Sequence, residues 1–190
     1  MKPLLAFVIG PTNVGKSTFL STVAKTYGNR AGLIEVGKIL RAKYPPGYFN
    51  GQAAPKHTAG EAWQLMVDGV DKALKEGKEV ILVDGQPRDV KQCQDILDNY
   101  ILAAGLPFQA GFIHLFASTE SRKTRAEKRD GQDPEKLKLS LARMEGDLPS
   151  LYVIMSMILS TAPYRFSTFD TDRHSYITIF EKAERQIREG

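Results

Sequence analysis

The residues Gly10 to Ser17, in the run GPTNVGKST, satisfy the spacing GxxxxGK[ST]. Glycines at those positions let the backbone curl so that its N–H groups converge on phosphate oxygens, and a helix beginning there adds partial positive charge. Lys16 is then a point charge for the β- and γ-phosphates, and the Ser17 hydroxyl is a ligand for Mg²⁺. The expected ATP contacts are Gly10, Asn13, Val14, Gly15, Lys16, Ser17 and Thr18. The motif needs a strand before it and a helix after it, and it lies between the apolar run Leu4–Ile9 and a helical pattern starting near Lys16. A glycine-rich turn that only joins strand to helix is the alternative, but motif and context agree on phosphate binding.

A second constellation, VILVDGQPRDVKQ, puts Asp84 at the end of an apolar run and Arg88 four residues later. In open α/β sheets the ligand crevice lies beyond the carboxyl ends of the strands, so both side chains are expected beside the phosphate loop. Asp84 can hold the water shell of Mg²⁺, and the planar fork of Arg88 suits a phosphate bidentately. Taken alone, the pair reads as readily as an aspartate capping a turn and an arginine paired at the surface.

These side chains need a sheet to position them. Leu4–Ile9, Gly32–Val36, Val80–Val83, Phe112–Phe116 and the alternating Tyr164–Phe169 read as strands. Helical patterns follow at about 16–27, 38–43, 59–76, 89–104, 119–129, 134–160 with a break expected near Pro149, and 174–189. Such alternation predicts an α/β fold, a three-layer sandwich whose five-stranded parallel sheet carries helices on both faces. Thr58 with Glu61 has the spacing of a capping box, and Asp133-Pro134 that of a helix start. The segment 42–57, rich in proline and glycine, reads as a long functional or mobile loop.

The 190 residues suit a single domain. Hydrophobic content of 42% and charged content of 25% fit a soluble globular chain. The longest apolar run, Leu151 to Leu159, is too short to cross a bilayer and reads as a buried helix. The N-terminal apolar stretch runs into the glycine loop without a small-residue cleavage site and reads as a strand, not a signal peptide. Cys93 is the single cysteine, which excludes a disulfide within the chain and a cysteine-rich metal site and makes the cytoplasm the default compartment. A net charge of +4 suits an anionic partner without naming one.

GPTNVGKST, VGKILRA at 36–42, VDGQPRDVKQ at 83–92 and RKTRAEKR at 122–129, in that order, resemble the signatures of the adenylate kinase family of nucleoside monophosphate kinases. The resemblance covers about residues 4 to 160, and its DGxPR element is the most family-specific. It implies that Gly37 and Arg41 belong to the helix binding the monophosphate, with Arg41 and Arg88 gripping its phosphate. It implies that Gln92 reads the base edge, an amide suiting adenine because it donates and accepts at once. Arg125 and Arg129 match the pair beside the ATP adenine and phosphates, and Arg143 an arginine contacting the transferred group. The resemblance also implies a mobile monophosphate-binding segment at 37–66 and a short lid at 130–136.

The chain departs from the family pattern at several places. Lys38 replaces an aspartate, Gln86 an aromatic residue, and Val36 a small hydroxyl residue; the lid contains no arginine and no cysteine that could hold zinc. Closure is expected to rely on Arg129 and Arg143, with Lys136 or Lys138 as further cations. Without the other motifs, Arg122, Arg125 and Arg129 read as a solvated basic face, favoured near a helix C-terminus by only ~0.3–1 kcal/mol per charge; with them, a cluster over the phosphates is expected. His114 in an apolar strand and Trp63 on a helix read as core, and Tyr44, Tyr48 and Phe49 as base-pocket lining or loop cover.

The expected activity is transfer of the γ-phosphate of Mg·ATP to a nucleoside or deoxynucleoside monophosphate, AMP or dAMP being favoured. The expected catalytic residues are Lys16, Arg88, Arg125, Arg129 and Arg143; Ser17 and Asp84 are the Mg²⁺ contacts. The partners are small nucleotides, with no membrane and no expected nucleic acid, in a monomer or small oligomer. The competing readings are a P-loop kinase of a small hydroxyl metabolite, needing a carboxylate at the acceptor hydroxyl, and a nucleotide- or nucleic-acid-binding module with salt-sensitive binding.

Overall fold

A run such as LLAFVI, apolar at every position, is stable as a strand only when both faces are covered. The computed structural model describes residues 1–45 and 59–189 and provides that cover. Five strands, β1 (Leu4–Ile9), β2 (Ala31–Glu35), β3 (Val80–Asp84), β4 (Gln109–Phe116) and β5 (Phe166–Asp170), form one sheet in the order β2-β3-β1-β4-β5. Every pairing is parallel. The fold is thus the expected α/β sandwich.

Side chains alternate across β1. Leu5, Phe7 and Ile9 face one core with residues of α2 (Val36–Lys43), α3 (Ala59–Lys75), α4 (Val90–Ile96) and α6 (Pro134–Thr161). Leu4, Ala6 and Val8 face a second core with residues of α1 (Lys16–Tyr27) and α7 (Tyr176–Glu189). α5 (Thr119–Asp130) packs against α6. Burying one such large apolar side chain contributes ~1.5–3 kcal/mol, against a net stability of ~5–15 kcal/mol for a domain. The strand under the phosphate loop is therefore a rigid base.

The structure revises several element boundaries. α4 is shorter than 89–104 and continues as a wider turn at Leu97–Ile101. β5 begins at Phe166, because Pro163–Arg165 form a tight helical turn. The helix expected to break near Pro149 runs unbroken from Pro134 to Thr161. Its Leu151–Leu159 run is only partly buried: Ile154 and Ile158 are in the core while Tyr152 and Val153 are exposed. Asp133 caps α6 as expected, its carboxylate accepting from the Lys136 N–H at 3.1 Å. Thr58 of the expected capping box, and Tyr48 and Phe49, lie outside the described residues, as does most of the 42–57 loop. Glu61 pairs with Lys43 and accepts from the Tyr44 hydroxyl, tying the end of α2 to α3. No described helix is long and apolar enough to cross a membrane.

His114 and Trp63 pack as core side chains, Trp63 edge-on to Tyr100. The His114 ring stacks between Phe116 and Phe166, and its Nδ1 is buried without a hydrogen-bond partner. Burial, helped by the nearby Lys16 charge, pulls its pKa from 6.5 to about 4. The unfolded chain therefore takes up this proton as pH falls through ~6.5, while the folded chain resists until about 4. Stability from the neutral ring is full above ~6.5 and is lost toward pH 4, an effect of ~3 kcal/mol at ~1.36 kcal/mol per pH unit. Urea midpoints for His114→Phe should fall less between pH 7 and pH 4.5 than those of the wild type; parallel declines would contradict this.

Candidate functional site

The strand order turns about β1, which puts the loops following β1 and β3 side by side at the carboxyl edge of the sheet. Val8 of β1 pairs in register with Asp84 of β3, so Asp84 stands beside the start of the phosphate loop. That loop curls through left-handed backbone at Asn13 and Gly15, with φ of 65° and 102°. A side chain at Gly10 would come within 2.3 Å of the Leu115 carbonyl, and one at Gly15 within 2.5 Å of the Tyr176 hydroxyl. Gly10 is therefore required by close approach to backbone as well as by conformation, and Gly15 by its left-handed φ, since the Tyr176 side chain could move aside.

Lys16 folds over the loop, its ammonium donating to the Gly10 and Pro11 carbonyls at 2.7 and 3.0 Å. Burial pulls its pKa down, and the Asp84 and Asp147 carboxylates oppose that shift. Asp84 answers from β3: burial raises its pKa against the opposing charges of Lys16 and Arg88, and its Oδ1 is buried without a hydrogen-bond partner. Ser17 and Thr18 lie exposed at the start of α1.

Arg88 follows the left-handed turn at Gly85, with its Nε donating to the Gly85 carbonyl at 2.9 Å. Burial lowers its pKa, Asp84 raises it, and the like charge of Arg41 lowers it. Gly37 explains how two guanidinium groups come so near. A Cβ there would stand 3.1 Å from Arg88 Nη2 and 3.3 Å from Arg41 Nη1. Lys16, Arg41, Arg88 and Arg143 line one cavity of about 330 Å³, with Gln86, Pro87 and Asp147. Such a cavity can hold an anionic group between the phosphate loop and the arginines.

Other expected site residues lie outside that lining. Gln92 is buried, its Oε1 accepting from the Arg88 N–H at 2.9 Å. Arg125 grips the loop from beneath, donating to the Val14 carbonyl at 2.8 Å and pairing with Asp172 at 2.8 Å. Arg129 pairs with Asp130 and donates to the Ser140 hydroxyl at 2.9 Å. Arg122 is not on a solvated face: it is buried and donates to the Met144 carbonyl at 3.0 Å. Only Gly131–Asp133 separate α5 from α6, and Lys136 pairs with Asp133 at 3.0 Å.

Asp147 is a residue that the motifs did not pick out. It lines the cavity, and its Oδ2 accepts from the Thr12 N–H at 3.1 Å and from the Thr12 hydroxyl. Its one sequence signal is its place four residues, about one helical turn, after Arg143. Ser140, which accepts from the Asn13 side-chain amide at 3.0 Å, has the matching signal of lying three residues before Arg143.

For Mg²⁺, the described residues contain no cluster of three or more histidine, cysteine or carboxylate side chains. A magnesium ion usually needs only one or two carboxylates, together with substrate phosphates and water. The buried, unpartnered Asp84 Oδ1 beside Lys16 fits that mode.

No protein-family model matches the chain. In fold it resembles the unliganded structure of a sugar kinase from Janibacter sp., with a TM-score of 0.59 and 18% identity, covering 99% of this chain and 95% of that one. It also resembles a gluconokinase from Sinorhizobium meliloti, with a TM-score of 0.53 and 17% identity over 98% and 93% of the two chains. At those identities the likeness carries the fold alone. By sequence, the adenylate kinase of a second Helicobacter pylori strain, Shi470, is 30% identical over 125 residues, 64% of this chain and 65% of that protein. The adenylate kinase of Helicobacter pylori strain 26695 is 30% identical over 139 residues, 70% of this chain and 72% of that protein. A relative this similar over so much of both chains makes this protein a kinase of the adenylate kinase family.

Proposed function

We propose that the protein is a nucleoside monophosphate kinase, transferring the γ-phosphate of Mg·ATP to a ribo- or deoxyribonucleoside monophosphate, AMP or dAMP by preference. The observation that carries this reading is the convergence of Lys16 with Arg41, Arg88 and Arg143 on one cavity. A cavity lined by the loop lysine and by three arginines suits two phosphates brought end to end.

Phosphoryl transfer demands positioning and charge stabilisation more than covalent help. A monophosphate oxygen is already anionic at neutral pH, so no general base is needed. Arg41 and Arg88 hold the acceptor phosphate, while Lys16 and the loop N–H groups hold the donor. Arg143 meets charge that spreads over the moving group. Arg125 and Arg129 serve the ATP side, with Arg125 also holding the loop at Val14. Asp84 and Ser17 would hold Mg²⁺, which when bound would supply positive charge against that developing on the donor phosphates. Closure of the short lid at 130–136 is expected to exclude water from ATP, while residues 46–58 of the expected monophosphate-binding segment 37–66 lie outside the described residues. The base preference rests on Gln92; its Oε1 accepts from the Arg88 N–H through one lone pair, which leaves the second lone pair and the amide N–H groups for a base edge that both donates and accepts.

One observation favours a second reading, transfer to a hydroxyl compound: Asp147 is the one carboxylate among the described residues lining the cavity. Its Oδ2 is engaged by Thr12, however, and the arginines around it suit a phosphate acceptor better.

A coupled assay of ADP formation from Mg·ATP against all common ribo- and deoxynucleoside monophosphates, with gluconate as a hydroxyl acceptor, separates the readings. The expected result is stimulation by AMP or dAMP. A flat response to every monophosphate overturns the proposal, and turnover with gluconate alone replaces it with the second reading.

A further inference from the structure

We infer that Ser140 and Asp147 are positioning residues, which tie α6 to consecutive residues of the phosphate loop and so fix where Arg143, between them, stands in the cavity. The inference rests on the role proposed for Arg143 in the monophosphate kinase reading. Positions 140, 143 and 147 share one face of the helix. Asp147 Oδ2 accepts from the Thr12 N–H at 3.1 Å and also from the Thr12 hydroxyl. The Ser140 hydroxyl, on a residue only 3% exposed, accepts from Asn13 Nδ2 at 3.0 Å. The same hydroxyl accepts from Arg129 Nη2 at 2.9 Å, which draws α5 into the clasp. Loop and helix are 127 and 135 residues apart in sequence, so these contacts are tertiary ties rather than local turns.

Two anchors about two helical turns apart restrain a helix against sliding and rolling, where one would leave it free to pivot. The helix needs such restraint, being 28 residues long with Pro149 just beyond the second anchor. A misplacement of ~1 Å in a group that meets the reacting atoms can cost ~10²-fold in rate. The simpler alternative is that Asp147 only balances the charge of Lys16, Arg88 and Arg143. The two differ in what asparagine can replace: it removes the charge but keeps a carbonyl that accepts from the Thr12 N–H.

The test compares Asp147→Ala, Asp147→Asn and Ser140→Ala with wild type in steady-state kinetics with Mg·ATP and the best monophosphate. The expected result is kcat reduced ~10- to 10²-fold in Asp147→Ala with little change in the KM for ATP. Asp147→Asn should remain within about threefold of wild type, and Ser140→Ala should fall between them. In an Arg143→Ala background, Asp147→Ala should add little, because its effect passes through Arg143. Wild-type kcat in Asp147→Ala, equal losses in the alanine and asparagine variants, or additive losses with Arg143→Ala each overturn the inference. If the wild type phosphorylates no monophosphate, the proposed function is what has failed. Anchoring is then read from hydrogen exchange of the Thr12 amide, which should quicken in Asp147→Ala; unchanged exchange overturns it.

Discussion

Lys16→Ala should lower turnover at least ~10²-fold, the scale of losing one preorganised charged contact, while leaving the melting transition near that of the wild type. The sheet beneath the loop does not depend on this side chain, since β1 is fixed by its own burial on both faces. The loop glycines and the Arg125 and Thr171 bonds to the Val14 carbonyl also stay in place. What disappears is the one cation that the phosphate loop itself supplies to the cavity. A second consequence follows at Asp84, whose carboxylate owes part of its ionisation to Lys16. With that charge gone, burial is opposed by Arg88 as the principal remaining cation, and Asp84 holds its proton to higher pH. The pH at which the residual activity of Lys16→Ala rises should therefore move upward. Lys16→Arg is not expected to restore turnover, because a planar fork cannot occupy the position of a compact ammonium on the Gly10 and Pro11 carbonyls. Kinetics, thermal melts and a pH–rate profile on the two variants measure these effects. Undiminished turnover in Lys16→Ala would contradict the role assigned to the loop.

The sequence was most legible where chemistry is written locally. An apolar strand, a glycine-bounded turn and a lysine at fixed spacing specify the phosphate loop within a dozen residues, and Asp84 with Arg88 is legible for the same reason. Long-range decisions were not. Pro149 suggested a break because it lacks an N–H and costs ~3 kcal/mol inside a helix. α6 nevertheless continues, because Ile154 and Ile158 beyond the proline are buried and each offsets ~1.5–3 kcal/mol. Arg122 shares a helical face with Arg125 and Arg129, but α6 covers it and takes its hydrogen bond at Met144. Helical spacing identifies residues on one face without saying what lies against that face. Ser140 and Asp147 share a helix face with Arg143, but their roles were unreadable for the same reason, since their partners lie far away in the chain. Gln92 was legible in part. The family resemblance put it at the base edge, and the structure shows its carbonyl holding the Arg88 backbone.

Arg88→Ala should separate the two halves of the site. Its guanidinium stands with Arg41 over Gly37, and in the proposed function this pair, not the loop, holds the acceptor phosphate. Loss should therefore fall on the acceptor, with kcat/KM for the monophosphate reduced ~10²-fold or more and the KM for ATP changed little. Arg88→Lys should recover only a small part, since lysine offers a point charge where a planar fork can meet two phosphate oxygens at once. The fold should tolerate either change because the turn at Gly85 is set by glycine conformation and Asp89 caps α4 through the Gln92 N–H independently of the Arg88 side chain. Gly37→Ala approaches the same contact from the other side: its Cβ would sit 3.1 Å from Arg88 Nη2 and 3.3 Å from Arg41 Nη1. Displacing both guanidinium groups while keeping their charge should raise the acceptor KM without the full loss of Arg88→Ala. Initial rates with each substrate varied in turn measure this split. A loss in Arg88→Ala confined to the KM for ATP would put Arg88 on the donor side and undo the division of the cavity into donor and acceptor halves.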